Sequence, residues 1–86
     1  MKRSSEGEFI GLGYLLLHQK RFKESIEVFK LSVEAYPGSY NTYDSLGEAY
    51  MDDGDKDLAI QNYEKSLQLN PDNRNGLEML KKLKAQ

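Results

Sequence analysis

The clearest pattern in the chain is a pair of apolar stripes within residues 40–71. Apolar or small residues first recur at i, i+3, i+4 and i+7, the spacing of one helix face, at Tyr43, Leu46, Gly47 and Tyr50. Gly54-Asp55 then supplies a helix stop and a helix cap. A second stripe follows at Ala59, Ile60, Tyr63 and Leu67 and ends at Asn70-Pro71. The pattern predicts a helical hairpin over residues 40–53 and 56–69, with Gly47 allowing the Ala59 side of the second helix to approach closely.

The same pattern occurs 34 residues earlier, without a gap. The counterparts of the positions just named are Phe9, Leu12, Gly13 and Leu16, followed by Ser25, Ile26, Phe29 and Val33. A fixed period of this length is typical of helical repeat arrays and predicts a first hairpin over residues 6–19 and 22–36. Lys20 stands where the second hairpin has Gly54, so either Lys20 takes a positive φ or the turn differs.

These positions resemble the tetratricopeptide repeat, whose pattern is aromatic-x-x-Leu-Gly-x-x-Tyr, then Ala-x-x-x-aromatic, then Pro. The second copy matches at Tyr43, Leu46, Gly47, Tyr50, Ala59, Tyr63 and Pro71. The first copy departs at Leu16, Lys20 and Ser25, and these departures predict looser packing of its hairpin. The resemblance implies an all-α fold, a right-handed superhelical array of antiparallel helix pairs with five helices in total.

The ends of the chain differ from the repeats. Residues 73–85 repeat the apolar pattern at Leu77 and Leu80, but Lys81 replaces the close-contact glycine. This substitution predicts a capping helix with a polar, solvent-exposed outer face. Ser5 and Glu8 form a capping-box pattern, and Ser39 is a candidate cap for the third helix. We predict one domain with a flexible N-terminus (1–5), two repeats (6–39 and 40–73) and a capping helix (74–86).

The predicted first helix is apolar over more than one stripe. Phe9, Leu12, Gly13 and Leu16 form the expected packing face, and the apolar surface extends around the helix through Ile10, Tyr14 and Leu17. Such excess apolar surface favours a covering contact. It is also compatible with a thicker core or with an interface in a longer chain.

Composition narrows the classes of function. Hydrophobic residues at 38% and charged residues at 30% describe a soluble globular protein, and the absence of Cys removes disulfides and thiolate sites and fits the cytoplasm. A net charge of −2 argues against sequence-independent binding of nucleic acid. The longest apolar run, residues 14–17, is far too short to span a membrane.

Residues that could suggest catalysis or metal binding lack the necessary context. Ser45 lies in mid-helix and is expected at the surface, where no nucleophile elbow can form. Asp53, Asp55 and Asp57 imitate part of a calcium loop, but Leu58 stands where that loop needs Gly. His18 is the only His. We therefore predict a non-catalytic chain with no metal or cofactor.

The resemblance implies a ligand-binding surface, because the first helices of successive repeats in this family line a concave groove that takes extended peptides. By position, the predicted groove residues are Ile10, Tyr14, Leu17, His18, Asn41, Asp44, Ser45, Glu48, Met51, Asp52, Glu78 and Lys82. The spacing of Asp44, Glu48 and Met51 independently puts them on one helix face. The groove would be apolar at one end and acidic in the middle, which favours a ligand with apolar side chains and one or two Lys or Arg; alternatively, these charges are only a solvated helix face.

Chaperone-binding members of the family clamp a terminal carboxylate with Lys, Asn and Arg. Here Ile10, Tyr14, Asn41 and Ser45 occupy those positions, so the resemblance implies that this carboxylate clamp is absent. The leading hypothesis is a cytoplasmic protein-interaction module or scaffold. Two alternatives remain open: an appendage of a larger bacterial enzyme, because the second repeat resembles the C-terminal tails of some serine-hydrolase-like proteins, or a homodimer formed through the apolar first helix.

Overall fold

A computed structural model describes residues 5–86 as five α-helices with no strand among them. They are α1 (Glu6–His18), α2 (Phe22–Ala35), α3 (Tyr40–Asp52), α4 (Lys56–Leu69) and α5 (Arg74–Ala85). The five predicted helices are confirmed. Residues 1–4 of the predicted flexible N-terminus lie outside the described residues.

The helices form an elongated array with extents of 44 × 27 × 16 Å. Each helix packs against the next one along the chain, and α1 also contacts α3. Such packing between sequence neighbours is the expected arrangement of a helical repeat array, because each unit buries its apolar face against the adjacent unit. The all-α repeat architecture is therefore confirmed.

Both hairpins close over a glycine. A Cβ atom at Gly13 would lie 2.2 Å from the Phe29 ring, and one at Gly47 would lie 3.1 Å from the Tyr63 ring. The predicted close approach is confirmed: at Gly47 the contact is made by the Tyr63 ring, which lies one turn after Ala59 on the same buried side of α4. At its glycine crossing the first hairpin is the more closely packed, although α1 and α2 contact each other less extensively overall than α3 and α4 do, as the predicted loosening requires. The buried Ser25 contributes to this packing, because its hydroxyl donates a 2.8 Å hydrogen bond to the Gly13 carbonyl.

The turns and caps follow local chemistry with one exception. Ser5 and Glu8 form the predicted capping box, and Lys20 takes the left-handed conformation with φ 61°. Ser39 occupies the N-cap position of α3, but its side chain makes no cap hydrogen bond and donates to the Glu6 carboxylate instead. The predicted side-chain cap at Ser39 was wrong: its hydroxyl bonds to the Glu6 carboxylate of α1, and its oxygen accepts from no amide in the first turn of α3.

One core runs through all five helices. Its most deeply buried members, at 2% exposure or less, are Phe29, Ala49, Ala59, Tyr63 and Leu83. Leu46 is 5% exposed, whereas its counterpart Leu12 is 49% exposed. The difference arises because α2 packs against α3, while nothing in the described part of the chain covers the outer side of α1. The prediction that Leu12 belongs to the packing face was therefore wrong.

Candidate interaction groove

A cavity of about 530 Å³ lies between the first helices of the two repeats. Its lining comes from the first nine residues of α1 and from the first two turns of α3: Glu6, Gly7, Ile10, Tyr14, Asn41, Asp44 and Ser45. Five of the twelve predicted groove residues are among them. We call this cavity the α1–α3 groove.

Tyr14 and Glu48 join the two helices of the groove. The Tyr14 hydroxyl donates a 3.0 Å hydrogen bond to Glu48 Oε1, and the Tyr14 ring packs edge-on against Phe29 with 5.2 Å between ring centroids. Burial raises the pKa of Tyr14 to about 12, and the nearby negative charge of Glu48 acts in the same direction. Tyr14 therefore remains a neutral hydrogen-bond donor at physiological pH.

Asp44 is held in place from the start of the capping helix. Its Oδ1 atom accepts a 2.9 Å hydrogen bond from Nδ2 of the buried Asn73. Asn73 Nδ2 also donates to Ser66 Oγ at 2.8 Å, and Ser66 Oγ in turn donates to the Tyr40 carbonyl at 3.1 Å. This network fixes the orientation of Asp44 beside the groove.

The polar side chains of the groove are acidic or neutral. Glu6 and Asp44 line it, Glu48 is hydrogen-bonded to its wall through Tyr14, and no Lys or Arg is among the lining residues. The half-buried Ile10 and the Tyr14 ring supply the apolar part. The arrangement can hold apolar side chains next to a cationic group through hydrogen bonds and charge attraction.

Apart from Glu48, the predicted groove residues that do not line the cavity lie in or against the core or at exposed positions away from the cavity, and Ser45 lines it without being exposed. Leu17 is 5% exposed and belongs to the core, so its side chain is not available to a ligand. Ser45 lines the groove but is only 4% exposed, so its prediction as a surface residue was wrong: the packing of α1 on α3 covers it. The half-buried Met51 packs against the core. The remaining four lie at exposed positions that do not line the groove: His18, Asp52, Glu78 and Lys82.

Three residues in or near the groove were not predicted from the sequence. Glu6 and Gly7 line it because the first turn of α1 lies over the first turn of α3. Asn73 reaches Asp44 from the loop before α5. The only sequence signal for Asn73 was its suitability as a helix N-cap, which the structure uses as well: its Oδ1 accepts from the Gly76 amide.

The acidic turn between α3 and α4 is occupied by structural contacts. Asp53 pairs with Lys23 at 2.6 Å, and the Asp55 side chain caps the Leu58 amide. Across residues 5–86, no group of three or more His, Cys, Asp or Glu side chains is arranged to hold a metal ion. None of the helices in that range is both long and apolar enough to cross a membrane.

Comparison with known families agrees with the architecture. Models of the tetratricopeptide repeat match the chain twice, over residues 9–39 and over residues 45–73. No curated protein matches the chain at a significant level. Repeats of this kind generally mediate protein–protein interactions and are typically non-catalytic. From the two matches and the five-helix array, the chain belongs to the tetratricopeptide repeat family.

Proposed function

We propose that this chain is a non-catalytic interaction module that binds an extended segment of a partner protein in the α1–α3 groove. The segment carries apolar side chains and one or two Lys or Arg. The observation that supports this most is the lining of one cavity by apolar and acidic side chains from the first helices of both repeats. The lack of Cys in the 86 residues fits a reducing compartment, and we place the interaction in the cytoplasm.

The apolar part of the groove favours side chains of matching character. Ile10 and Tyr14 are half-buried, so a partner side chain that covers them removes further apolar surface from water. The Tyr14 ring also packs edge-on against Phe29. A ring that is already fixed loses little side-chain entropy on binding, which favours its use as an anchor.

The acidic part of the groove determines the charge of the partner. Glu6 already accepts from Ser39, and Asp44 accepts from Asn73, but a carboxylate can accept further hydrogen bonds. A Lys or Arg side chain would supply the missing positive charge. A peptide that ends in the groove with its own carboxylate would be repelled, which agrees with the absence of a carboxylate clamp.

The proposal is tested by selecting peptides from a random displayed library on the whole chain. We expect the selected sequences to combine Lys or Arg with apolar residues. The variant Asp44→Asn with Glu48→Gln removes two charges but keeps an oxygen that can accept from Asn73 and Tyr14. It should raise the dissociation constants of the selected peptides about fivefold or more. The effect should be largest at low salt, where charges are least screened.

A matched control removes two charges outside the groove. Glu34 and Asp72 are both exposed, and neither lines the groove, so Glu34→Gln with Asp72→Asn changes the net charge equally. This control should bind the peptides like the unmodified chain. If both double variants bind the peptides with the same affinity, whether weakened or unchanged, the groove is not the binding site.

A further inference from the structure

A second surface of α1 lies apart from the groove. Leu12 and Leu15 are 49% and 55% exposed, the largest exposures among the leucines of this helix. Helical spacing places both on the same face as Glu8, whereas the groove residues Ile10 and Tyr14 lie on the other side of α1. We call the face of Glu8, Leu12 and Leu15 the outer face of α1.

The fold already contains a covered version of this face. The counterparts of Leu12 and Leu15 in the second repeat are Leu46 and Ala49, which are 5% and 0% exposed because α2 packs against α3. The outer face therefore has the pattern of a helix-packing surface. It is the more apolar of the two, because Leu15 stands where the covered face has Ala49. An exposed pair of this kind, in one turn of a helix, offers apolar surface that a packing partner would remove from water.

Gly11 adds a second observation beside these leucines. A Cβ atom at Gly11 would meet nothing within 4 Å, in contrast to Gly13, whose Cβ would collide with Phe29. Packing among residues 5–86 therefore gives no reason for a helix-weakening glycine at this position. A glycine here does allow another helix to approach the backbone of α1 closely.

We propose that the outer face of α1 binds a second copy of this chain, with the two α1 helices antiparallel about a two-fold axis. Leu12 of each copy then faces Leu15 of the other, so the surface is complementary to itself. Charge favours this occupant and this direction. Glu8 lies on the outer face in the first turn of α1, and Lys20 follows the last turn. Glu6 lines the groove instead, and Arg21 is paired with Glu24. Antiparallel pairing brings acidic and basic ends together twice, whereas parallel pairing would place like charges side by side.

The expected dimer is weak. With 13 residues, α1 is about 20 Å long, and contact between two such helices falls in the small class of interfaces. A dissociation constant in the micromolar range or weaker is therefore expected. The groove lies on the other side of α1, so each copy in the dimer keeps an open groove, and this dimer is independent of the proposed peptide binding.

Sedimentation velocity of the whole chain, from about 10 μM to 1 mM, tests the association. We expect the dimer fraction to rise with concentration and the variant Leu12→Gln with Leu15→Gln to raise the dissociation constant at least about tenfold. The control Leu69→Gln with Leu77→Gln removes two other leucines that are 38% and 45% exposed, and should leave the dimer unchanged. Circular dichroism of both variants should confirm that the helices remain folded.

Cross-linking tests the direction of the pairing, because the chain has no Cys of its own. We expect a mixture of Leu12→Cys and Leu15→Cys chains to form disulfide dimers faster than either variant alone. Faster cross-linking of the separate variants would overturn the antiparallel arrangement. An unmodified chain that stays monomeric at about 1 mM, or a control variant that loses the dimer as completely as the α1 variant does, would overturn the proposal.

Discussion

Two serines at equivalent positions of the two repeats are predicted to have opposite effects on stability. Ser32 and Ser66 are 34 residues apart, lie in α2 and α4, and are both 0% exposed. Ser66 Oγ donates to the Tyr40 carbonyl and accepts from Asn73. Ser32 Oγ has no hydrogen-bond partner among the residues that the structure describes. The same residue in the same helix position is therefore satisfied in one repeat and unsatisfied in the other.

The magnitudes follow from burial and helix propensity. An unpaired buried hydroxyl costs about 1–3 kcal/mol, and Ser is about 0.5 kcal/mol less favourable than Ala within a helix. Allowing for the packing lost with the oxygen atom, Ser32→Ala should raise the free energy of unfolding by about 1 kcal/mol. Ser66→Ala leaves the Tyr40 carbonyl and the Asn73 amide without this partner, so it should lower that free energy by about 1–2 kcal/mol.

Urea unfolding followed by far-UV circular dichroism measures both free energies. For a domain of this size, 1 kcal/mol corresponds to a shift in melting temperature of about 4–8 °C, so thermal melts give a second reading. The two variants serve as controls for each other, because the chemical change and the helix position are the same. If Ser32→Ala lowers the free energy of unfolding as much as Ser66→Ala does, the unpaired Ser32 hydroxyl is not destabilising and the prediction is wrong.

Three further predictions concern the hairpins and the groove. Gly13→Ala should destabilise the chain by about 2 kcal/mol or more in urea unfolding, and by more than Gly47→Ala does, because its Cβ would lie 2.2 Å from the Phe29 ring against 3.1 Å at Gly47; equal losses would contradict this. Lys20→Gly should raise the free energy of unfolding by about 1 kcal/mol, since φ is 61° there, and no gain would contradict a strained turn. Because burial raises the pKa of Tyr14 to about 12 while an unfolded tyrosine titrates near 10, its contribution to stability should be complete below about pH 10 and lost as the pH rises toward 12. Tyr14→Phe should remove this part of the alkaline loss of stability, and an unchanged alkaline profile would speak against the burial of the hydroxyl.

The helices and the glycine crossings could be predicted from the sequence because each depends on local spacing. The period of 3.6 residues placed the five helices, and the repeat offset identified Gly13 and Gly47 as crossing points. The repeat offset gave a wrong expectation where two equivalent residues have different neighbouring helices. It treated Leu12 like Leu46, but within residues 5–86 a preceding helix, α2, covers only Leu46.

The candidate groove was predicted in part. Ile10, Tyr14 and Asn41 were expected from their positions in the first helices and do line the cavity. The sequence could not show that Asn73 holds Asp44, because a contact across 29 residues depends on how α5 docks. Nor could it distinguish Ser32 from Ser66, whose partners are set by neighbouring units. Contacts between repeats, which one-dimensional spacing does not encode, account for these failures.

Binding of a partner segment in the α1–α3 groove is best tested by amide chemical shifts of the isotope-labelled chain, recorded while a selected basic–apolar peptide is titrated in. We expect the largest changes at Ile10, Tyr14, Asn41, Asp44 and Glu48, which line or adjoin the groove. Changes confined to α4 and the turn before it, with the groove residues unmoved, would contradict the proposal.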